Sequence, residues 1–196
     1  MSYRPICDIW LLGRPKVKYY GAYPGGFLSR ARDLLGVGPN DYLLHACSGK
    51  VNDYPFRGHG SQDFTLDIDP ATTPDFCQDV RKPWPPPPPE LGEDGNYSCP
   101  PQFWDAVLSD PPYSQEDALH YSHVAQNAYP SPKEILARAW EVLRPGGKVG
   151  IVHYVIPSPP KDAIFVACVG VVMGFGNKGR FYSVFQKPEP TELPSD

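Results

Sequence analysis

The chain has 196 residues, of which 41% are apolar and 26 are proline, and it carries a formal net charge of −4. Length and apolar content suit one compact domain and exclude a globally disordered chain. The acidic balance excludes a dedicated nucleic-acid coat, which presents a strongly basic face, but not an enzyme that meets nucleic acid through a local patch.

Proline lacks a backbone N–H and fixes φ, so 26 of them imply long irregular connections between a few regular elements. The five cysteines, Cys7, Cys47, Cys77, Cys99 and Cys168, are scattered and form no CxxC pair. Such a set reads as reduced thiols in a cytoplasmic protein, with no zinc site. The longest apolar run, residues 163–175, is too short to cross a bilayer. The first residues lack the basic-then-apolar order of a signal sequence.

In chain order, Arg14, Lys16, Lys18, Tyr19 and Tyr20 precede Pro24-Gly25-Gly26. Phe27, Leu28, Ala31, Leu34 and Leu35 then recur at helical spacing, and Gly36 can end that helix. Residues 41–46 (DYLLHA) and 63–67 (DFTLD) read as strands, with Pro55, Gly58 and Gly60 disfavouring a helix between them. A third short strand is expected over 76–80. Residues 84–101 contain five consecutive prolines and predict an extended surface loop of polyproline II character.

Residues 103–109 (FWDAVLS) return to a strand pattern and run into Asp110-Pro111-Pro112-Tyr113. Ser131 and Pro132 predict a capped helix start, with Ile135, Leu136, Ala139, Trp140 and Leu143 on one face and Arg144-Pro145-Gly146-Gly147 at its end. A strand over 148–156 follows. Strands over 163–172 and 180–187 flank a glycine-rich turn and predict an antiparallel hairpin, before a tail over 188–196. Interleaved strands and helices point to an open α/β sheet, mostly parallel, whose ligands bind beyond the carboxyl ends of the strands. Ala46-Cys47-Ser48-Gly49, Asp67, Asp79 and Asp110 all follow strands.

An exocyclic amine on a base is a poor nucleophile because its lone pair is delocalised into the ring. Accepting hydrogen bonds from both amine hydrogens frees that lone pair. Asp110 offers a carboxylate and Pro111 a carbonyl, while the proline pair stiffens the turn that presents them. Tyr113 can stack on the base, a contact worth roughly 1–3 kcal/mol.

DPPY at Asp110–Tyr113 resembles the catalytic motif of the amino-methyltransferases that modify adenine or cytosine. Residues 135–154 (ILARAWEVLRPGGKVGIVHY) are similar to the late helix and strand of class I S-adenosylmethionine-dependent methyltransferases. The resemblance spans residues 42–187 and implies a Rossmann-like sheet of seven strands with an antiparallel last strand. It implies S-adenosyl-L-methionine as cofactor and a single catalytic domain over 1–187 carrying the Pro-rich loop.

In that family the first strand leads into a Gly-rich turn, here Ala46-Cys47-Ser48-Gly49-Lys50 with one glycine. Asp67 matches the acid that binds the ribose hydroxyls, Ile68 follows it, and Asp69 competes for the role. Asp79 matches the acid near the adenine amino group, with Val80 packing on the ring. YGAYPGGF (residues 20–27) loosely resembles the amino-terminal cofactor motif, which nominates Gly25 and Phe27. The chain departs from the family in that the helices after its first three strands read as loops.

His120 and His123 lack a third ligand and read as surface residues, His59 as a loop residue, and His45 and His153 as core. Arg14, Lys16, Lys18, Arg30 and Arg32 are the one basic concentration, either a solvated face or a phosphate-contacting edge. The resemblance implies adenine in DNA as substrate, reached by base flipping if the target is duplex. No segment is long enough for a target-recognition region, so the segment 114–129 or a specificity subunit would supply it. The alternatives are an RNA base as acceptor, or a non-catalytic partner subunit of a methyltransferase complex.

Overall fold

In the computed structural model, residues 4–15, 21–53, 62–86, 90–91, 97–98, 103–121, 124, 129–174 and 178–190 are described. Lys16, Lys18, Tyr19, Tyr20, Pro55, Gly58, His59, Gly60, Cys99, His123 and most of the tail lie outside them. The strands among the described residues are β1 (Ile6–Leu11), β2 (Leu43–Ala46), β3 (Asp63–Asp67), β4 (Phe76–Cys77), β5 (Glu90–Leu91), β6 (Tyr97–Ser98), β7 (Trp104–Ser109), β8 (Leu143–His153), β9 (Ile164–Val172) and β10 (Arg180–Gln186). The helices are α1 (Phe27–Leu35), α2 (Gln115–Tyr121) and α3 (Pro132–Val142).

Eight strands form one sheet in the order β1-β9-β10-β8-β7-β2-β3-β4, and β5 and β6 form a separate ribbon. Every described pairing within the large sheet is parallel except those of β10, which runs antiparallel to both β8 and β9. The Rossmann-like sheet with its antiparallel carboxyl-terminal hairpin is therefore the fold expected. One strand exceeds the expectation: β1 adds in parallel to the β9 edge, with Cys7 opposite Cys168.

The core lies on both faces of the sheet. On one, Phe27, Leu28, Ala31 and Leu35 of α1 pack with Trp10, Val169, Tyr182 and Val184. On the other, Ile135, Leu136 and Ala139 of α3 pack with Leu44, Val107, Trp104 and Phe185. Burying each large side chain of this kind contributes about 1.5–3 kcal/mol before its ordering entropy is subtracted.

Helix α3 starts where its sequence predicts. The Ser131 hydroxyl accepts from the Glu134 amide at 3.2 Å, and the Glu134 carboxylate accepts from the Ser131 amide at 2.9 Å, closing a capping box. The helix passes directly into β8, whose first residues are the Arg144–Gly147 turn; the strand begins earlier than 148 because Leu143 already pairs with Trp104. Gly147 must be glycine: a Cβ there would stand 2.8 Å from the Arg144 carbonyl.

The Pro-rich segment is not surface throughout. Trp84 is buried, donates to the Val80 carbonyl at 2.7 Å, and belongs to the α3-side core. Between β2 and β3 and between β3 and β4 the described residues hold only one-turn 3-10 segments, Val51–Asp53 and Pro70–Thr72, in keeping with loops in place of helices.

Candidate active site

Register brings the site together. Ala46 at the end of β2 sits opposite Leu66 of β3 and Ser109 of β7, and Asp67 pairs with Cys77 of β4. The residues that follow these positions consequently emerge along one edge, at the carboxyl ends of four parallel strands. There an open cleft is lined by Cys47, Ser48, Gly49, Asp67, Ile68, Asp79, Val80, Asp110 and Pro112 among others. Nine of the sequence-nominated residues thus share one wall system, although they span residues 47–112.

The remaining nominees lie elsewhere. Ala46 is fully buried inside the strand. Pro111 is buried behind the turn. Gly25 bridges to Gly13, and Phe27 is a core residue stacked on Tyr23 at 5.1 Å. The amino-terminal motif reaches the cleft instead through Gly21 and Tyr23, four residues before each nominated position. Lys50, Asp69, Thr72, Ala118, Tyr121 and Pro130 also line it. Of these, Asp69 and Lys50 sit inside motifs already visible in the sequence. Tyr121 and Ala118 belong to α2, seven residues too short to show a periodicity.

The turn after β2 compensates for its missing glycine. Cys47 adopts φ +56°, a left-handed conformation that ordinarily calls for glycine, and Gly49 follows at φ +53°. A side chain held there costs about 1–2 kcal/mol. The conformation is secured by Asp67, whose Oδ2 accepts from the Gly49 amide at 2.8 Å while Oδ1 accepts from the Asp69 amide at 2.9 Å. Burial raises the Asp67 carboxyl above its ordinary range, and those amides partly oppose the rise. Burial likewise pushes the Cys47 thiol well up, reinforced by the charges of Asp67 and Asp110. Raised in this way, the thiol stays protonated at neutral pH.

Asp79 is held differently. Arg81 donates to it through Nε at 3.0 Å and Nη2 at 2.6 Å, and these bonds lower its carboxyl. Among the described residues Asp110 has no such cation bonded to it. Its Oδ1 accepts from the Tyr113 hydroxyl at 2.5 Å, and burial pushes its carboxyl up to about 6 against the opposing pulls of Tyr113 and Arg180. Tyr113 does not line the cleft. Its ring packs on Tyr154 at 4.6 Å and on the edge of His153 at 5.4 Å, with the Arg180 guanidinium 4.9 Å above it.

The cleft therefore carries four carboxylates, Asp67, Asp69, Asp79 and Asp110, against one lysine, Lys50. Such a lining favours a ligand with positive charge and disfavours one built around phosphates. Among the described residues no three His, Cys, Asp or Glu side chains are grouped to hold a metal. No described helix is long and apolar enough to cross a membrane.

No protein-family model matches the sequence, and no curated protein matches it. Among solved structures, TrmN from Thermus thermophilus is similar over 86% of this chain at 15% identity, with a TM-score of 0.53. The chain spans half the length of that protein, covering 50% of it. The antibiotic-resistance methyltransferase Kmr is similar over 90% of this chain and 98% of its own at 13% identity, with a TM-score of 0.35. The first likeness shows a shared fold; the second adds nothing to it.

Proposed function

We propose that this chain is an S-adenosylmethionine-dependent methyltransferase acting on an exocyclic amino group of a nucleic-acid base. The observation that carries the reading is the convergence of Asp110, from the end of β7, with Asp67 and Asp79 in one cleft at the carboxyl edge of the sheet. The lining fits the cofactor, which bears a sulfonium and an ammonium that suit an acid-rich cleft, and a carboxylate that suits the lysine in the same lining, Lys50. When bound, S-adenosylmethionine supplies an electrophilic methyl group.

The chain's own residues do the rest. Asp67 offers its remaining lone pairs to ribose hydroxyls while fixing the Cys47–Gly49 turn through the Gly49 amide. Asp79, oriented by Arg81, and Val80 face the adenine end. Asp110, with one oxygen held by Tyr113, accepts an amine hydrogen at the other. A carboxyl near 6 is ionised at neutral pH yet basic enough to take a proton from the methylated amine. A flipped or single-stranded base of DNA or RNA satisfies the same acceptors, so adenine in DNA and an RNA base enter the assay together.

The test is transfer of a labelled methyl group to mixed DNA and RNA acceptors by the wild type and Asp110→Ala. Labelled product from the wild type that the variant loses, with its fold intact, supports the reading. Equal transfer by both removes it.

A further inference from the structure

Beside Asp110, four side chains stack in alternation. The Lys178 ammonium lies 5.9 Å from the Tyr154 ring centre, Tyr154 packs 4.6 Å from Tyr113, and the Arg180 guanidinium lies 4.9 Å over Tyr113. Tyr113 ties this ladder to the site, because its hydroxyl donates to Asp110.

Arg180 is partly buried, unlike the exposed Arg4, Arg14 and Arg30, and differs from the ion-paired arginines of this protein. Arg32, Arg81, Arg138 and Arg144 each hold a carboxylate. Arg180 holds none among the described residues, and its Nε is buried with no hydrogen-bond partner. Lys178 is exposed and likewise has no described ion pair. The charge of Arg180 acts on Asp110 through space, but a buried donor left without a hydrogen-bond partner costs stability, so its retention beside a reacting carboxylate points to an anion that arrives with a ligand.

The charge distribution calls for such a foothold. The chain is net acidic and its cleft holds four carboxylates, so a polyanionic acceptor approaching Asp110 is repelled. Taking the acceptor to be a nucleic-acid base, as proposed above, we infer that Arg180 and Lys178 form a phosphodiester subsite that docks the backbone beside the target base. Arg180 gives it a planar donor fork already stacked on Tyr113, and Lys178 adds an exposed point charge. Such a site reads backbone rather than sequence. It places the nucleotide with its base turned toward Asp110, and it accepts DNA or RNA.

Fluorescence anisotropy with labelled single-stranded oligodeoxynucleotides and oligoribonucleotides tests this, on full-length wild type, Arg180→Gln and Lys178→Gln, over a salt series. Loss of Arg180 is expected to weaken binding about tenfold and to reduce the slope of log affinity against log salt by about 0.7 for single strands. Lys178→Gln, on an exposed residue, is expected to produce a smaller loss of the same kind. The two oligonucleotide arms show which backbone the subsite prefers.

Wild-type affinity and salt slope in both variants would overturn the subsite, as would failure of the wild type to bind either oligonucleotide. A shifted pH profile with unchanged oligonucleotide binding would also overturn it, leaving Arg180 as a residue that only tunes Asp110. Titration of the same preparations with S-adenosylmethionine keeps the two proposals apart. Donor binding together with oligonucleotide binding that Arg180→Gln leaves unchanged defeats the subsite alone, whereas absence of donor binding defeats the methyltransferase reading.

Discussion

Two aspartates stand at opposite edges of the same parallel sheet and are treated in opposite ways. Asp63 opens β3 at the amino edge, buried, with Oδ1 bonded to Arg32 at 2.5 Å and Oδ2 to His45 at 2.9 Å. Asp110 follows β7 at the carboxyl edge, with one oxygen on the neutral Tyr113 hydroxyl and its nearby cation stacked on a ring instead of bonded to it. The first arrangement neutralises a buried charge and ties α1 to the sheet. The second leaves a carboxylate raised and incompletely satisfied, at the edge where ligands of open α/β sheets bind. On the proposed reading the neutralised acid is structural and the raised one does the chemistry.

Exchanging their roles by mutation should give opposite phenotypes. Asp110→Asn is expected to lower methyl transfer by about a thousandfold or more, equivalent to about 4 kcal/mol of activation free energy, measured by labelled product per time. The same variant should be more stable than the wild type at pH 7 and above. The folded state holds the Asp110 proton more tightly than the unfolded chain does, its carboxyl lying near 6. Stability from this group is therefore fully present below the unfolded carboxylate range and declines as pH rises to about 6. Urea melts of the two proteins at pH 4.5 and 8 check the sign: the gap should be wider at pH 8.

Asp63→Ala should do the reverse. It strands a buried arginine and is expected to cost about 3–5 kcal/mol in urea unfolding, while variant that remains folded keeps its donor affinity. Asp67→Ala falls between the two classes, since that residue both secures the Cys47–Gly49 turn and faces the cleft. Its expected effect is a loss of donor affinity of about 1.5–3 kcal/mol in titration calorimetry. The smallest effect belongs to Tyr113→Phe. Removing the hydroxyl takes away a bond that lowers the Asp110 carboxyl, so the acidic limb of kcat/KM, expected near pH 6, should move upward while the fold is unchanged.

How much of this could be read in the sequence follows from how local each determinant is. The helix start at Ser131-Pro132-Glu134 is a contiguous signal, and α3 begins there. Asp110 follows an apolar strand and precedes two prolines, which together mark a strand end with a fixed carboxylate. Strand β1 is different: ICDIWL has little alternation, and only pairing with β9, more than 150 residues later, makes it a strand. The partners on which the Tyr113 ring packs, His153, Tyr154 and Arg180, lie far along the chain and are not visible in the motif. The single-glycine turn looked deficient because left-handed backbone is ordinarily assigned to glycine, whereas here Cys47 takes it under the hold of Asp67.

The most direct test of the central claim is calorimetric titration of the purified protein with S-adenosylmethionine. Saturable binding that Asp67→Ala weakens and Asp110→Asn largely preserves is the result predicted. No binding at millimolar cofactor would contradict the assignment of this cleft.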